Sequence, residues 1–309
     1  MPLAPEYVMM FEQLEESSSA ASRISEMTPA EVREMYRTMR PVNPDLPIYS
    51  IRHETIFGPL GDIPLRIYTP EGSGPFGVLV YFHGGGWVIG DLDTCDSVCR
   101  EISTIGNLVV VSVDYRLAPE HLYPAAGEDC YAAIEWAAAN GDILKSNGKL
   151  GVAGESAGGN LSAVVSQKAR DNSGPTIDFQ CLLYPVVDHD MTRPSYEENG
   201  EGYLLETESM LWFWDKYCPD KAKRDEPGAS PLRAKNLASL PPALIVTAEF
   251  DPLRDEGEAY ANAITDAGGE ARTVRYDGLV HDFFATAALF ECSRGPFIET
   301  VKEIQKRIG

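Results

Sequence analysis

Short apolar runs and segments of helical periodicity alternate along most of this 309-residue chain. Each apolar run is continuous, which is typical of strands that are buried on both faces of a parallel sheet. The predicted strands of this kind are 77–82, 108–113, 150–153, 179–184, 243–248 and 271–276. The helical segments that accompany them are 94–105, 124–139, 157–171, 256–267 and 296–307. The alternation predicts an α/β protein with a mostly parallel sheet and helices on both faces.

The N-terminal part is predicted to form helix first and then a β-hairpin. Residues 6–40 have helical character, and Thr28-Pro29-Ala30-Glu31 combines a capping box with proline at the first helical position. The apolar positions that follow share one helix face: Val32, Met35, Tyr36 and Met39. Two more strand-like runs, 51–57 and 63–68, flank the turn Gly58-Pro59-Leu60-Gly61. These two runs bring the predicted sheet to eight strands.

One long segment, residues 188–240, interrupts the alternation. Inside it, Thr207–Cys218 is predicted to form a helix with a stripe of large side chains. The stripe consists of Met210, Phe213, Trp214 and Tyr217, with Trp212 beside it. Packing against the core is the ordinary explanation of such a stripe. The alternative is the wall of a substrate pocket, because a segment inserted after a central strand can overhang the edge where ligands bind.

Composition narrows the class of function. The chain has 47 acidic and 26 basic residues, a formal net charge of −21, which disfavours nucleic acid and anionic membranes as partners. No stretch reaches the ~18 uninterrupted apolar residues of a membrane span, and the N-terminus lacks the basic start of a secretory signal. The six cysteines show no paired framework, and Cys95 and Cys99, four residues apart, lack nearby histidines for a metal site. We therefore expect a cytoplasmic protein with reduced thiols and no bound metal.

The segment Gly154-Glu155-Ser156-Ala157-Gly158 carries the strongest chemical signal. It has the form Gly-x-Ser-x-Gly and lies between an apolar run and an alanine-rich helical segment. A sharp strand-to-helix turn leaves no room for Cβ atoms on either side, and it holds the serine hydroxyl exposed and strained. A plain glycine-serine loop is the alternative. The context of a strand before and a helix after favours Ser156 as a catalytic nucleophile.

Chain order identifies partners for this serine, because such triads run Ser, then Asp or Glu, then His. Of the five histidines, His281 alone follows both the serine and a plausible acid on a later strand. Asp251 comes just past the predicted strand 243–248 and precedes a proline that biases it away from helix. Asp255 is the second candidate, although it also fits the acidic first turn of the next helix.

A glycine run follows the predicted strand 77–82, in His83-Gly84-Gly85-Gly86-Trp87. Bare backbone N–H groups at such a place can bind the oxyanion that forms during acyl transfer. A phosphate cradle is the alternative, but the run lacks a Gly-Lys-Ser/Thr ending and the Gly-x-Gly-x-x-Gly spacing. We interpret His83 as a structural residue of this loop rather than as a base.

Taken together, the motifs resemble the hormone-sensitive-lipase family of α/β-hydrolases, which includes the bacterial family IV esterases. The motifs that carry the resemblance are His83-Gly84-Gly85-Gly86-Trp87, Tyr115-Arg116-Leu117-Ala118-Pro119-Glu120, Gly154-Glu155-Ser156-Ala157-Gly158-Gly159, Asp251-Pro252-Leu253-Arg254-Asp255 and His281. The resemblance implies an α/β-hydrolase fold and a serine carboxylesterase with the triad Ser156, Asp251 and His281. One departure is Glu155, where the family usually has Asp or Thr.

The resemblance also implies how the rest of the chain is organised. The oxyanion hole would consist of the amides of Gly84, Gly85 and Ala157. Residues 1–47 would form N-terminal cap helices, and residues 48–309 the catalytic domain, in which 188–240 contributes an inserted cap segment. Trp87, Phe213 and Trp214 are the predicted substrate contacts. The expected substrates are small-molecule esters with short to medium acyl chains, no cofactor is required, and a homodimer is expected from the family.

Two other functions compete with this one. An amidase or deacetylase would use the same scaffold and triad, because fold and triad do not fix the substrate. A non-catalytic small-molecule receptor is the second, as in the plant gibberellin receptors of this family. Those receptors lack the catalytic histidine, whereas this chain has His281.

Overall fold

The structure is a computed structural model that describes residues 2–17 and 24–309. Its centre is an eight-stranded sheet with the order β1-β2-β4-β3-β5-β6-β7-β8. The strands are Ser50–Gly58 (β1), Gly61–Thr69 (β2), Phe76–Phe82 (β3), Val109–Val113 (β4), Ser146–Glu155 (β5), Phe179–Leu183 (β6), Ala243–Phe250 (β7) and Ala271–Val280 (β8). The hairpin β1–β2 is antiparallel and joins β4 in antiparallel fashion, whereas β3 to β8 are parallel. The predicted α/β fold with eight strands is confirmed.

Helices cover both faces of this sheet. They are Pro5–Ser17 (α1), Pro29–Met39 (α2), Asp96–Gly106 (α3), Ala125–Ala139 (α4), Ala157–Asp171 (α5), Pro194–Asn199 (α6), Thr207–Tyr217 (α7), Arg254–Asp266 (α8) and Glu291–Ile308 (α9). Strand β3 shows why both faces must be covered, since all seven of its residues are buried. Val78 and Val80 belong to the same apolar cluster as residues of α4 and α5, while Leu79 and Tyr81 belong to the cluster that includes α3 and α9.

Several elements extend further than the sequence predicted, and β8 and α9 are two of them. Strand β8 continues to Val280, because a bulge in β8, which has two more residues than β7 between the pairs Ala248–Tyr276 and Phe250–Val280, restores the pairing. Helix α9 begins at Glu291 instead of at residue 296, so Pro296 lies inside it. The added N-terminal turn is held by α1, since the Tyr7 hydroxyl lies 2.8 Å from Ser293 Oγ. Such contacts join residues nearly 300 positions apart, which local periodicity does not report.

The predicted N-terminal helix, 6–40, is present in pieces. The structure has α1, a short 3-10 turn at Ile24–Glu26, and α2, and residues 18–23 of the predicted helix lie outside the described residues. The capping box is confirmed, because Thr28 Oγ1 accepts from the Glu31 N–H while Glu31 accepts from the Thr28 N–H. The predicted apolar face of α2 is wrong in part. Val32 is buried, but Met35 and Met39 are exposed.

The inserted segment 188–240 contains α6, α7 and two 3-10 turns, Lys221–Asp225 and Pro231–Arg233. The stripe on α7 is buried, as its spacing predicted; its members are Met210, Phe213, Trp214 and Tyr217. The Ser25 hydroxyl donates to Glu208 Oε1 at 2.7 Å, so the N-terminal segment touches α7. In the described part of the chain, no helix has the length and apolar character to cross a membrane.

Candidate active site

Ser156 occupies the turn between β5 and α5. Its backbone has φ +55° and ψ −116°, a conformation that is rare for a residue with a side chain. The flanking glycines are required by space: a Cβ on Gly154 would lie 2.3 Å from the Gly158 carbonyl oxygen, and one on Gly158 would lie 2.0 Å from the Phe82 carbonyl oxygen. The sequence therefore forms the strained turn that a nucleophilic serine needs.

The structure brings Ser156, His281 and Asp251 into one hydrogen-bonded chain. His281 Nε2 lies 3.1 Å from Ser156 Oγ, and His281 Nδ1 lies 2.8 Å from Asp251 Oδ2. Asp251 and His281 directly follow β7 and β8, so both side chains reach the same edge of the sheet as Ser156. Because the Asp251 carboxylate accepts from Nδ1–H, the neutral imidazole leaves Nε2 free to accept the serine proton.

Asp255, the second candidate for the acid, lies elsewhere. Its carboxylate accepts from the Ser195 backbone N–H at 2.9 Å and from Arg254 Nε at 2.9 Å. Asp251 is instead fully buried, and its second oxygen accepts the Leu253 N–H at 2.8 Å. These bonds fix the Asp251 carboxylate toward His281, so the acid that the sequence ranked first lies beside the imidazole and the second candidate does not.

The structure of the glycine loop after β3 corrects the predicted role of one residue, Gly84. The Gly84 N–H was assigned to the oxyanion hole, but it donates to the buried Glu155 carboxylate at 3.3 Å. The N–H groups of Gly85, Gly86 and Ala157 have no protein acceptor among the described residues. Gly86 was missed; the signal available in the sequence was its position as the third glycine of the run, where the structure has φ +56°.

His83 holds this loop in place, as the sequence suggested. Its ring stacks on Tyr115 with a centroid separation of 4.2 Å, and the Tyr115 hydroxyl donates to the His83 carbonyl oxygen at 2.8 Å. His83 Nδ1 lies 2.7 Å from the Gly84 carbonyl oxygen. Burial lowers the pKa of His83, which keeps the imidazole neutral and suits a structural role.

Of the three predicted substrate contacts, Phe213 has a buried ring that lies against the glycine loop. A Cβ added to Gly86 would come within 2.2 Å of the Phe213 ring, so this ring covers the glycine loop. Trp87 and Trp214 are both fully buried, and Trp87 stacks on Tyr217 at a centroid distance of 4.2 Å. Because neither indole is accessible, neither is placed to contact a substrate, which corrects their predicted role.

Tyr184, the residue after β6, also belongs to the site, although no sequence motif points to it. Its ring packs edge-on against the His281 imidazole at 4.7 Å, and its hydroxyl donates to Glu155 Oε2 at 3.0 Å. Burial raises the pKa of Tyr184 well above its ordinary value, so the hydroxyl stays protonated as a donor. Its positive φ of 35° is a backbone feature that a strand-like sequence does not reveal.

Comparisons with known proteins agree with this geometry. The sequence pattern of a family described as having the alpha/beta hydrolase fold matches residues 79–285. The carboxylic ester hydrolase LipN of Mycobacterium tuberculosis is 48% identical over 74% of this chain and 63% of its own length. The esterase LipI of the same organism is 42% identical over 84% of this chain and 82% of its own length.

Solved structures are similar over the whole chain. A thermostable esterase from Pseudomonas putida has a TM-score of 0.94 at 36% identity, covering 100% of this chain and 98% of that one. An esterase from Pyrobaculum calidifontis has a TM-score of 0.90 at 38% identity, covering 99% of each chain. The similarity therefore includes the N-terminal helices, which lie outside the residues that the family pattern matches.

Proposed function

Because the chain belongs to the hormone-sensitive-lipase family of the α/β-hydrolases, we propose that it hydrolyses carboxylic esters through an acyl-enzyme on Ser156. The observation that carries this proposal is the hydrogen-bonded chain from Asp251 through His281 to Ser156, at a strained strand-to-helix turn. The names of the similar proteins, esterase and carboxylic ester hydrolase, support the same reaction class.

In the proposed mechanism, Ser156 Oγ attacks the ester carbonyl carbon while His281 Nε2 takes the serine proton. Asp251 stays ionised and stabilises the imidazolium that forms. The N–H groups of Gly85, Gly86 and Ala157 bind the oxyanion, a role for which their lack of protein acceptors suits them. His281 then gives its proton to the departing alcohol, and a water deprotonated by the same imidazole releases the acid.

We also propose that residues 1–47 and 188–240 act together as a cap over this site. The Ser25–Glu208 hydrogen bond and the position of Phe213 on Gly86 support the proposal. A covered site leaves limited space for an acyl chain, which favours short to medium esters. From the sequence we further propose a cytoplasmic location and a homodimer.

The substrate proposal is tested with p-nitrophenyl esters from acetate to palmitate. We expect kcat/KM to peak at short or medium acyl chains and to fall by about tenfold or more at palmitate, because each methylene that the pocket cannot place loses binding. A peak at palmitate would contradict the proposed pocket. Activity on anilides of the same acids without activity on the esters would favour the amidase function instead.

Phe213→Ala is expected to widen the preference toward longer acyl chains. The ring fills the space next to Gly86, and its removal leaves room beside the proposed oxyanion loop. We expect the ratio of kcat/KM for octanoate to that for acetate to rise by about tenfold. Leu211→Ala is the matched control, because Leu211 lies on the same helix but is 48% exposed. Equal ratios in both variants and the parent protein would contradict a role of Phe213 in the pocket.

A further inference from the structure

Arg40, at the end of α2, contacts the chain neighbours of two proposed catalytic residues. One guanidinium nitrogen lies 3.4 Å from Glu155 Oε1, and the other donates to Asp282 Oδ2. Glu155 directly precedes Ser156, and Asp282 directly follows His281. A single side chain from the N-terminal segment thus connects the nucleophile turn to the histidine turn, although the three residues are far apart in sequence.

Glu155 needs this cation. Its side chain is 1% exposed, and removing a carboxylate from water is unfavourable unless charge and hydrogen bonds replace the lost hydration. The Gly84 N–H and the Tyr184 hydroxyl supply hydrogen bonds, and Arg40 supplies the positive charge. The Arg40 side chain is itself only 10% exposed, so water screens the pair weakly.

Asp282 needs a partner for a different reason. Its φ is +72°, in the left-handed region that residues other than glycine seldom adopt. Such a conformation persists where surrounding contacts hold it. The hydrogen bond from Arg40 is one such contact, and it acts on the residue that sets the direction in which the chain leaves His281.

Neighbouring arginines of α2 bind the catalytic domain without these contacts. Arg33 donates to the carbonyl oxygens of Val88 and Ala118 and to Glu120, and Arg37 pairs with Asp91 at 2.6 Å. Docking of α2 therefore does not depend on Arg40 alone. The distinction of Arg40 is its position between the residues adjacent to Ser156 and His281.

We propose that Arg40 is a positioning residue for ester hydrolysis, which holds Glu155 and Asp282 so that Ser156, His281 and the glycine loop keep their reactive geometry. This inference rests on the proposed function. Under this proposal the N-terminal segment positions catalytic residues through Arg40, in addition to covering the site. Because Arg40 acts through its neighbours and not on the ester, its loss is expected to change kcat more than KM.

The test compares Arg40→Ala, Arg40→Lys and the control Arg37→Ala on p-nitrophenyl butyrate. Rates are divided by the concentration of reactive serine, titrated to completion with a fluorophosphonate, so that misfolded protein does not count. We expect Arg40→Ala to lower kcat by about 10- to 100-fold with KM changed by less than about twofold, since small misplacements of reacting groups have effects of this size. Arg37→Ala should stay within about twofold of the parent for both constants.

Arg40→Lys is expected to recover only part of the loss, because one ammonium cannot reproduce two separate guanidinium contacts. The proposal is overturned if Arg40→Ala keeps the parent kcat per reactive serine, or if Arg37→Ala loses as much. A parent protein that is inactive on esters would instead refute the proposed function, so the two failures are distinguishable.

The double variant Arg40→Ala/Glu155→Gln, measured beside Glu155→Gln alone, tests the electrostatic part; if Arg40→Ala alone does not fold, a double variant that is also unfolded refutes the proposal. The glutamine keeps an acceptor for the Gly84 N–H but removes the buried charge. We expect the double variant to be folded and about three- to tenfold faster in kcat than Arg40→Ala, because coupled residues deviate from additivity. If the two single losses simply multiply, or if the double variant is inactive although folded, Arg40 does not act through Glu155 and the proposal is refuted.

Discussion

Ester hydrolysis by Ser156→Ala is expected to fall by about five to six orders of magnitude in kcat, to the level left by binding and oxyanion stabilisation alone. The alanine removes the only atom that the proposed mechanism bonds to the substrate, while the turn and its flanking glycines keep their geometry. The measurement is kcat on p-nitrophenyl butyrate at high protein concentration, together with thermal unfolding to show that the variant is folded.

Ser166→Ala is the matched control for this variant. Ser166 lies on the same helix, α5, and is also buried, but its hydroxyl donates to the Ser162 carbonyl oxygen, away from His281. We expect the control to keep kcat within about twofold, because removing one helix-internal hydroxyl has a small effect on stability. Activity in Ser156→Ala above one-hundredth of the parent value would show that the nucleophile is a different group.

Asp251→Asn is expected to lower kcat by about four orders of magnitude, with a small change in KM. An amide in place of the carboxylate can present its N–H to His281 Nδ1, which favours the tautomer with the proton on Nε2. That tautomer cannot accept the proton of Ser156. The measurement is the pH dependence of kcat on p-nitrophenyl butyrate, which shows whether the loss persists across the working range.

Asp255→Asn separates the two acids that chain order left open. Asp255 bonds the Ser195 N–H and Arg254, so we expect its loss to reduce stability slightly and to leave kcat within about threefold of the parent. A larger loss of kcat in Asp255→Asn than in Asp251→Asn would reverse the assignment of the acid.

Much of the proposed site could be predicted because its residues carry local signals. The Gly-x-Ser-x-Gly turn needs its glycines for space, as Gly154 and Gly158 show. The positions of Asp251 and His281 follow from where parallel strands end, since the carboxyl ends of β7 and β8 meet at the edge that holds Ser156. The strands of the sheet could be predicted for a similar reason, because continuous apolar runs indicate burial on both faces.

The errors concern contacts between distant parts of the chain. The sequence shows three adjacent glycines, but not that Glu155 takes the N–H of Gly84 and leaves that of Gly86 free. Likewise, the stripe on α2 suggested a buried face, whereas ion pairs such as Arg37–Asp91 hold the helix and Met39 stays exposed. Arg40 carried no signal at all, because its partners lie 115 and 242 positions away.

Reaction with diethyl p-nitrophenyl phosphate, followed by peptide mapping with tandem mass spectrometry, shows whether Ser156 is the activated nucleophile. This reagent phosphorylates a serine that a neighbouring histidine activates. The phosphorylated serine is stable because the geometry at its tetrahedral phosphorus slows attack by water. We expect one diethylphosphoryl group per chain, located on Ser156, with esterase activity lost in proportion to labelling. A stoichiometric label on another residue, or full activity in protein labelled at Ser156, would contradict the assignment of Ser156.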